Sequence, residues 1–265
     1  MKIFINTDLE GICGFVDWDE AKMATSRGIG YTKEYLTAEV NAAINGILLE
    51  DASAEIVVQD GHAGGWWGPN MIAEQLHPRA SVILGKRGVE IAGLSPEFDL
   101  FIGIGAHSMA GTQHGCMNHT ISSEAIMNFW INGVLVGEIG IWAALAGHHG
   151  IPVGMIAGDY WAVEEAKALL GDLIGVSVKK GINRYTATCL NPIEARKQIA
   201  EAARQAVSAQ RRFKPYAVAS PVEIKIEYTS TFYADKAELG GAERLDGRTV
   251  RYTGGDFMST FSQYY

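Results

Sequence analysis

The sequence predicts an α/β fold, with a mostly parallel, Rossmann-like three-layer sheet domain and a smaller α+β unit at its C-terminal end. Short apolar runs alternate with amphipathic helical segments over most of the chain, which is the order of a parallel sheet with crossover helices. The last fifty residues instead alternate apolar and polar positions, as antiparallel strands do. We place residues 1–213 in the metal-binding main domain and residues 214–265 in the smaller unit, which could contribute to oligomer contacts.

The first half of the main domain contains four strands and one long helix. Residues 2–7 form a strand that ends in acidic residues, and residues 31–50 form a helix whose apolar side chains recur at spacings of three and four. Residues 55–59 form the second strand, and two further apolar runs follow at 81–84 and 100–104. This order favours a parallel sheet.

A hairpin interrupts this order in the second half of the domain. Asn132-Gly133 separates the apolar segments 126–131 and 134–136, which predicts a type I′ turn. We expect the hairpin to lie at a sheet edge or to project from it. The remaining elements are a helix over 137–147, a strand over 151–157, helices over 161–170 and 192–210, and strands near 222–226 and 250–252.

Composition excludes several classes of protein. The formal net charge is −8 and no basic cluster exceeds Arg211-Arg212, which argues against nucleic acid as a partner. The three cysteines are odd in number and form no CxxC pair, so neither a disulfide framework nor a zinc ribbon is expected. The N-terminus reaches acidic residues too early for a signal peptide or a membrane span, so we expect a cytoplasmic protein without membrane contact.

Residues of the kind that bind metals follow the predicted strands. Asp8 and Glu10 come directly after the first strand, Asp60 and His62 after the second, and His107 after the fourth. The carboxyl ends of parallel strands meet at one edge of a sheet, so we expect these side chains to lie together. His62 is a candidate ligand, while Asp60 could either bind the metal itself or orient His62 without contacting the metal.

The set of candidate ligands predicts two metal ions. Asp8 and Glu10 are two residues apart, so in extended backbone both carboxylates point to one side and favour a cation between them. Glu138, at the start of a predicted helix, joins them with His62 and His107. Oxygen and nitrogen ligands without thiolates suit a catalytic zinc or manganese site. Five or six ligands exceed the needs of one zinc, so a pair bridged by a carboxylate is the simplest interpretation.

Each of these residues also has an ordinary structural explanation. The two N-terminal acids could cap a loop or form surface salt bridges, and either histidine alone could be a hydrogen-bonded core residue. Glu138 alone is a common first-turn helix acid. Only the shared location of the five residues favours a metal site.

Two other functions remain open at this stage. Pairs of metal ions also bind phosphoryl oxygens, so a two-metal phosphoesterase is an alternative, and Lys86-Arg87 is the nearest basic pair that could hold a phosphate. The non-enzymatic alternative is a metal- or peptide-binding assembly protein that has ligands but no turnover.

Several separated motifs occur in one order along the chain. They are Asp8-Leu9-Glu10-Gly11, Glu39-Val40-Asn41-Ala42-Ala43-Ile44, Val58-Gln59-Asp60-Gly61-His62, Gly105-Ala106-His107, Met117-Asn118-His119, Ile131-Asn132-Gly133, Val136-Gly137-Glu138 and Ala157-Gly158-Asp159. Together they resemble the DppA-type D-aminopeptidases, a family of dinuclear zinc peptidases. The similarity covers most of the chain, to about residue 210.

The resemblance implies a role for each candidate residue. Asp8 bridges two zinc ions per subunit, for which Mn²⁺ or Co²⁺ could substitute. Glu10 and His62 complete one zinc site, and His107 and Glu138 complete the other. His119 matches the catalytic histidine of the family.

The resemblance also implies an activity and an assembly. The activity is that of a zinc-dependent aminopeptidase, in which a water activated by the two metals releases the N-terminal residue, with D configuration, from short peptides or aminoacyl amides. The assembly is a homodecamer that encloses the active sites. Asn6 and Tyr160 depart from the residues common in the family, and the C-terminal region differs, which leaves L-peptides or another amide open as substrates.

Overall fold

The computed structural model describes residues 1–18, 29–65, 68–85 and 90–264, and the basic pair at 86–87 lies outside these ranges. Its helices and strands are β1 (Lys2–Thr7), α1 (Ile29–Glu50), β2 (Glu55–Gln59), β3 (Ala80–Ile83), β4 (Leu100–Ala106), β5 (Ile126–Ile131), β6 (Val134–Leu135), α2 (Glu138–His148), β7 (Val153–Asp159), α3 (Tyr160–Leu170), β8 (Ile174–Asn183), β9 (Thr186–Cys189), α4 (Pro192–Ser208), β10 (Val222–Tyr228), α5 (Thr231–Leu239), β11 (Glu243–Arg244), β12 (Thr249–Gly254) and α6 (Phe257–Phe261).

The main sheet has seven strands in the order β3-β2-β1-β4-β7-β8-β9. Every neighbouring pair is parallel except β8 and β9, which confirms the predicted parallel sheet. β1 is apolar on both faces: Ile3 and Ile5 pack into one core, whereas Phe4 packs into the other. The strand is therefore buried on both sides, as the uninterrupted apolar run in its sequence requires.

Helices cover both faces of this sheet and complete the three predicted layers. α1 and α4 pack against each other on one face, where Leu36, Val40 and Ile44 of α1 are fully buried. α2 and α3 cover the other face with an alanine-rich surface that allows close packing. None of the helices in the described ranges is long and apolar enough to cross a bilayer.

A second, antiparallel sheet has the order β11-β12-β10-β5-β6. The hairpin predicted at 126–136 lies at its edge, and Asn132 and Gly133 both have positive φ angles, 48° and 80°, as a type I′ turn requires. Phe129 of β5 pairs with Ile226 of β10, so the sheet joins segments almost a hundred residues apart. Two of its five strands precede residue 213, and the domain boundary itself stays a prediction.

The β8–β9 hairpin is an element that the sequence did not predict. It extends the main sheet by one antiparallel strand, and its turn carries Arg184 and Tyr185. Ile174, Val176 and Val178 occur at alternate positions, as in a strand, but Lys179 and Lys180 follow and end the alternation. Lys179 is nevertheless buried, with 2% of its surface exposed.

Candidate metal centre and catalytic histidine

The predicted ligands lie together at the carboxyl edge of the main sheet. Asp8 and Glu10 follow β1, His62 opens a 3₁₀ turn after β2, and His107 directly follows β4. Glu138 is the first residue of α2. All five side chains are almost completely buried.

The carboxylate of Asp8 lies between two groups of ligand atoms. Its Oδ1 is 3.1 Å from His62 Nδ1, and its Oδ2 is 3.2 Å from His107 Nε2. Glu10 Oε2 lies 2.9 Å from the same nitrogen of His62. Glu138 Oε1 lies 3.2 Å from the same nitrogen of His107. The two oxygens of one carboxylate therefore face two different pairs of an imidazole and a carboxylate.

The buried atoms of this cluster fit a divalent cation. Asp8 Oδ2, Glu10 Oε2 and His107 Nε2 are inaccessible to solvent and make no hydrogen bond within the described residues. Ligand atoms of Asp8, Glu10 and His107 lie within 4.8 Å of one another, as do those of His107, His119 and Glu138. Buried carboxylate oxygens are costly unless positive charge satisfies them, so the two groups, which share His107, are candidate metal sites.

Electrostatics within the cluster point the same way. Burial acts to lower the pKa of His62 and His107, but the charges of Glu10 and Glu138 outweigh it and raise both values well above the usual range. Burial acts to raise the pKa of Glu138, yet the charge of His107 holds it at about 2. Burial and the charge of Glu10 raise the pKa of Asp8. The buried carboxylates are thus stabilised by nearby positive charge, which a divalent metal would supply.

Neighbouring groups fix the orientation of the ligands. His107 Nδ1 lies 3.0 Å from the carbonyl oxygen of Ser108 and donates to it, so Nε2, which faces the cluster, is the nitrogen that would bind a metal. Trp18 Nε1 donates a 2.7 Å hydrogen bond to Glu10 Oε1. The backbone N–H of Ile121 donates a 2.7 Å hydrogen bond to Glu138 Oε1.

Asp60 is buried next to the cluster, but its oxygens face elsewhere. Asp60 Oδ2 accepts a 2.6 Å hydrogen bond from the backbone of Asn70, and Oδ1 accepts a 2.8 Å bond from the side chain of Asn70. The same side-chain amide donates to the carbonyl of His62 at 3.3 Å. Of the two roles considered for Asp60, this geometry fits support of the segment that carries His62.

His119 lies beside the second group of ligand atoms. Its ring stacks on the ring of His107 with a centroid separation of 4.0 Å and an angle of 9°. Its Nε2 is 3.6 Å from Glu138 Oε1, while Nδ1 lies 2.9 Å from the carbonyl of Met117. Burial and the charge of His107 lower the pKa of His119, which favours a neutral imidazole with Nε2 available to accept a proton.

Two residues that the sequence did not reveal support this centre. Lys179 is buried behind it and donates from Nζ to the backbone carbonyls of Glu10 and Phe15. Glu165 of α3 accepts a 2.8 Å hydrogen bond from the N–H of Met109, just after His107. Each acts through contacts with residues distant in sequence, so no local pattern could have identified them.

The loop after β1 is packed directly against the end of β4. Gly11 N donates to Gly105 O at 2.7 Å, and Asp8 N donates to Ile104 O at 2.8 Å. Gly105 has a φ of +79°, and a Cβ atom placed there would lie 1.9 Å from the carbonyl oxygen of Asp8. Only glycine allows the backbone carrying Asp8 to approach the strand that carries His107.

Replacing Gly105 by alanine is therefore expected to displace Asp8 and to weaken metal binding. Gly111 is a matched control, because it has a φ of +81° with no atom within 4 Å of the added Cβ. Gly111→Ala should cost about 1–2 kcal/mol through backbone strain alone, whereas Gly105→Ala should cost more and reduce the content of bound metal. Thermal unfolding and elemental analysis of both variants measure this, and equal effects would contradict it.

Comparison with known proteins identifies the family. The family model described as D-aminopeptidase, peptidase family M55, matches residues 1–264. A D-aminopeptidase from Bacillus subtilis (strain 168) is 31% identical over 98% of this chain and 94% of its own length. A structure described as a Zn-dependent D-aminopeptidase DppA from Bacillus subtilis, a self-compartmentalizing protease, superposes with a TM-score of 0.92 over all of this chain and 95% of that one, at 30% identity. The chain therefore belongs to peptidase family M55, the D-aminopeptidases.

Proposed function

We propose that this chain is a zinc-dependent D-aminopeptidase that releases the N-terminal D-residue of short peptides or aminoacyl amides. The observation that carries the proposal is the Asp8 carboxylate, whose two oxygens face two separate pairs of ligand atoms. The family gives the class of reaction, and the relative of known structure is described as Zn-dependent.

Two zinc ions per subunit fit the ligand atoms. Asp8 would bridge them, with Glu10 and His62 on one side and His107 and Glu138 on the other. Mixed carboxylate and imidazole ligands suit zinc, and Mn²⁺ or Co²⁺ accept the same set. When bound, such a pair supplies Lewis acidity toward the scissile carbonyl and lowers the pKa of a water to about 7.

His119 is the residue of this chain that would move the proton. Its Nε2 lies 3.6 Å from Glu138 Oε1, beside the ligand cluster, and would take a proton from the attacking water and return it to the leaving amine. The stacked His107 ring and the carbonyl of Met117 restrict how His119 can turn. Restricted rotation keeps Nε2 directed at the ligand cluster.

Lys179 is not a candidate phosphate-binding residue for the alternative two-metal phosphoesterase. Sites of phosphoryl transfer commonly use cationic side chains together with metal ions to hold the phosphate oxygens. The Lys179 ammonium lies close behind the site, but backbone carbonyls of Glu10 and Phe15 already engage it. It is therefore not available to hold a phosphate.

We also propose that the chain assembles with copies of itself, as a homodecamer by resemblance to its family. The relative of known structure is described as self-compartmentalizing. Met127, Val134 and Leu135 of the β5–β6 hairpin expose 41%, 45% and 42% of their surfaces, as residues covered by another subunit would.

A single experiment tests metal dependence and stereochemistry together. The purified protein is analysed for zinc and assayed with D- and L-aminoacyl nitroanilides before chelation, after chelation, and after zinc is restored. We expect about two zinc ions per subunit, preferential hydrolysis of the D substrates, and reversible loss on chelation. Hydrolysis that prefers L substrates or survives chelation would contradict the proposal, as would activity confined to a generic phosphate ester.

A further inference from the structure

The turn between β8 and β9 lies against the loop that carries His119. The N–H of Met117 donates to the carbonyl of Arg184 at 2.8 Å. In return, Arg184 Nη1 donates to the carbonyl oxygen of Asn118 at 2.5 Å and to the side-chain oxygen of the same residue. The two residues that precede His119 are thus held from one position of the β8–β9 turn.

The same guanidinium group contacts a second neighbour of His119. It lies over the ring of Trp18, 5.3 Å from the centroid, as in a cation–π interaction. The Trp18 ring packs edge-on against the ring of His119 at 5.4 Å, and its Nε1 donates to Glu10. Arg184 therefore touches both the loop behind His119 and the indole beside it.

These contacts matter because the backbone of the His119 loop is unusual. Met117 has a positive φ of 49°, a conformation that costs energy for a residue with a side chain. The carbonyl of Met117 also accepts the hydrogen bond from His119 Nδ1, so a change at Met117 would turn the catalytic ring. Hydrogen bonds from a charged guanidinium are stronger than neutral ones and can hold such a loop.

We propose that Arg184 is a positioning residue that holds His119 with its Nε2 facing the metal cluster. The inference rests on the proposed role of His119 in proton transfer. Arg184 acts through Met117, Asn118 and Trp18 and touches none of the five ligands. Its planar group reaches the carbonyl and the amide oxygen together, which the point charge of lysine does less well.

The expected signature is a loss of turnover with metal binding preserved. Arg184→Ala should lower kcat by about 10–100-fold, the usual effect of removing a group that orients a metal site or catalytic residue. KM should change little, and the zinc content should stay at the wild-type value. Arg184→Lys should recover part of the lost kcat. Arg248→Ala is a matched control, because Arg248 is exposed and pairs with Glu227 in the second sheet.

A double-mutant cycle with His119→Ala tests the inference directly. If Arg184 acts through His119, then Arg184→Ala should lower kcat in the wild-type background and have no further effect when His119 is already alanine. Equal effects in the two backgrounds, no effect in either, or loss of zinc would overturn the inference. A KM increase limited to peptides with a free carboxyl terminus would also overturn it, because Arg184 would then bind substrate. An active His119→Ala enzyme would instead refute the role proposed for His119.

Discussion

Replacing Asp8 by asparagine is expected to empty both metal sites and to lower kcat by about 10³-fold, since the metals supply several kcal/mol of transition-state stabilisation. Asp8 presents one oxygen to His62 and the other to His107, and an asparagine keeps only one of them. The amide nitrogen that replaces the second oxygen cannot bind a metal, and the negative charge is lost. Both zinc sites should therefore weaken together.

Elemental analysis and kinetics of Asp8→Asn measure this outcome. Asp172→Asn serves as the control, because the Asp172 side chain is half exposed and pairs with Arg212 away from the site. A variant of Asp8 that retains two zinc ions, or loses only one, would show that the carboxylate does not bridge them. Circular dichroism separates loss of metal from loss of fold.

Replacing His119 by alanine is expected to lower kcat by about 10²–10⁴-fold, the usual contribution of general acid–base catalysis. The five proposed ligands remain, so the zinc content should stay near the wild-type value. The ring of His107 loses its stacking partner, but its Nδ1 contact with Ser108 is unaffected. The effect should therefore fall on turnover and leave metal binding intact.

His148→Ala is the control for this variant, since His148 ends α2 with a partly exposed side chain. Steady-state kinetics on a D-aminoacyl amide, with zinc measured on the same samples, give the comparison. Native turnover in a zinc-loaded His119→Ala enzyme would remove this histidine from the mechanism. A fall in zinc content would assign it a role as a ligand.

The sequence predicted that the candidate ligands lie together, because strand direction decides where they fall. Once β1, β2 and β4 are parallel, residues immediately after them must share one edge of the sheet, so Asp8, His62 and His107 could be placed together without coordinates. The i, i+2 spacing of Asp8 and Glu10 could also be interpreted from the sequence, because the direction of both side chains depends only on local backbone geometry. The prediction that the 126–136 hairpin lies at a sheet edge is also confirmed, since its turn chemistry is local.

Features that depend on distant pairing could not be predicted in this way. Nothing near Phe129 indicates that its strand pairs with Ile226, and nothing near Arg184 indicates contact with Asn118. Trp18 donates a hydrogen bond to Glu10, only eight residues away in the chain, but the loop between them has no regular pattern that would predict this contact. The burial of Lys179 could not be predicted either, because its ammonium is satisfied by carbonyls that only the folded chain supplies.

The pairing of β5 with β10 connects the C-terminal part of the chain to the candidate metal centre. Glu138 begins α2 only three residues after β6, and Phe261 and Tyr264 pack their rings against Phe129. The C-terminal segment thus supports the hairpin next to Glu138, one of the proposed metal ligands. A chimera that exchanged this segment between relatives would need to carry the matching hairpin with it, or Glu138 would lose its anchorage.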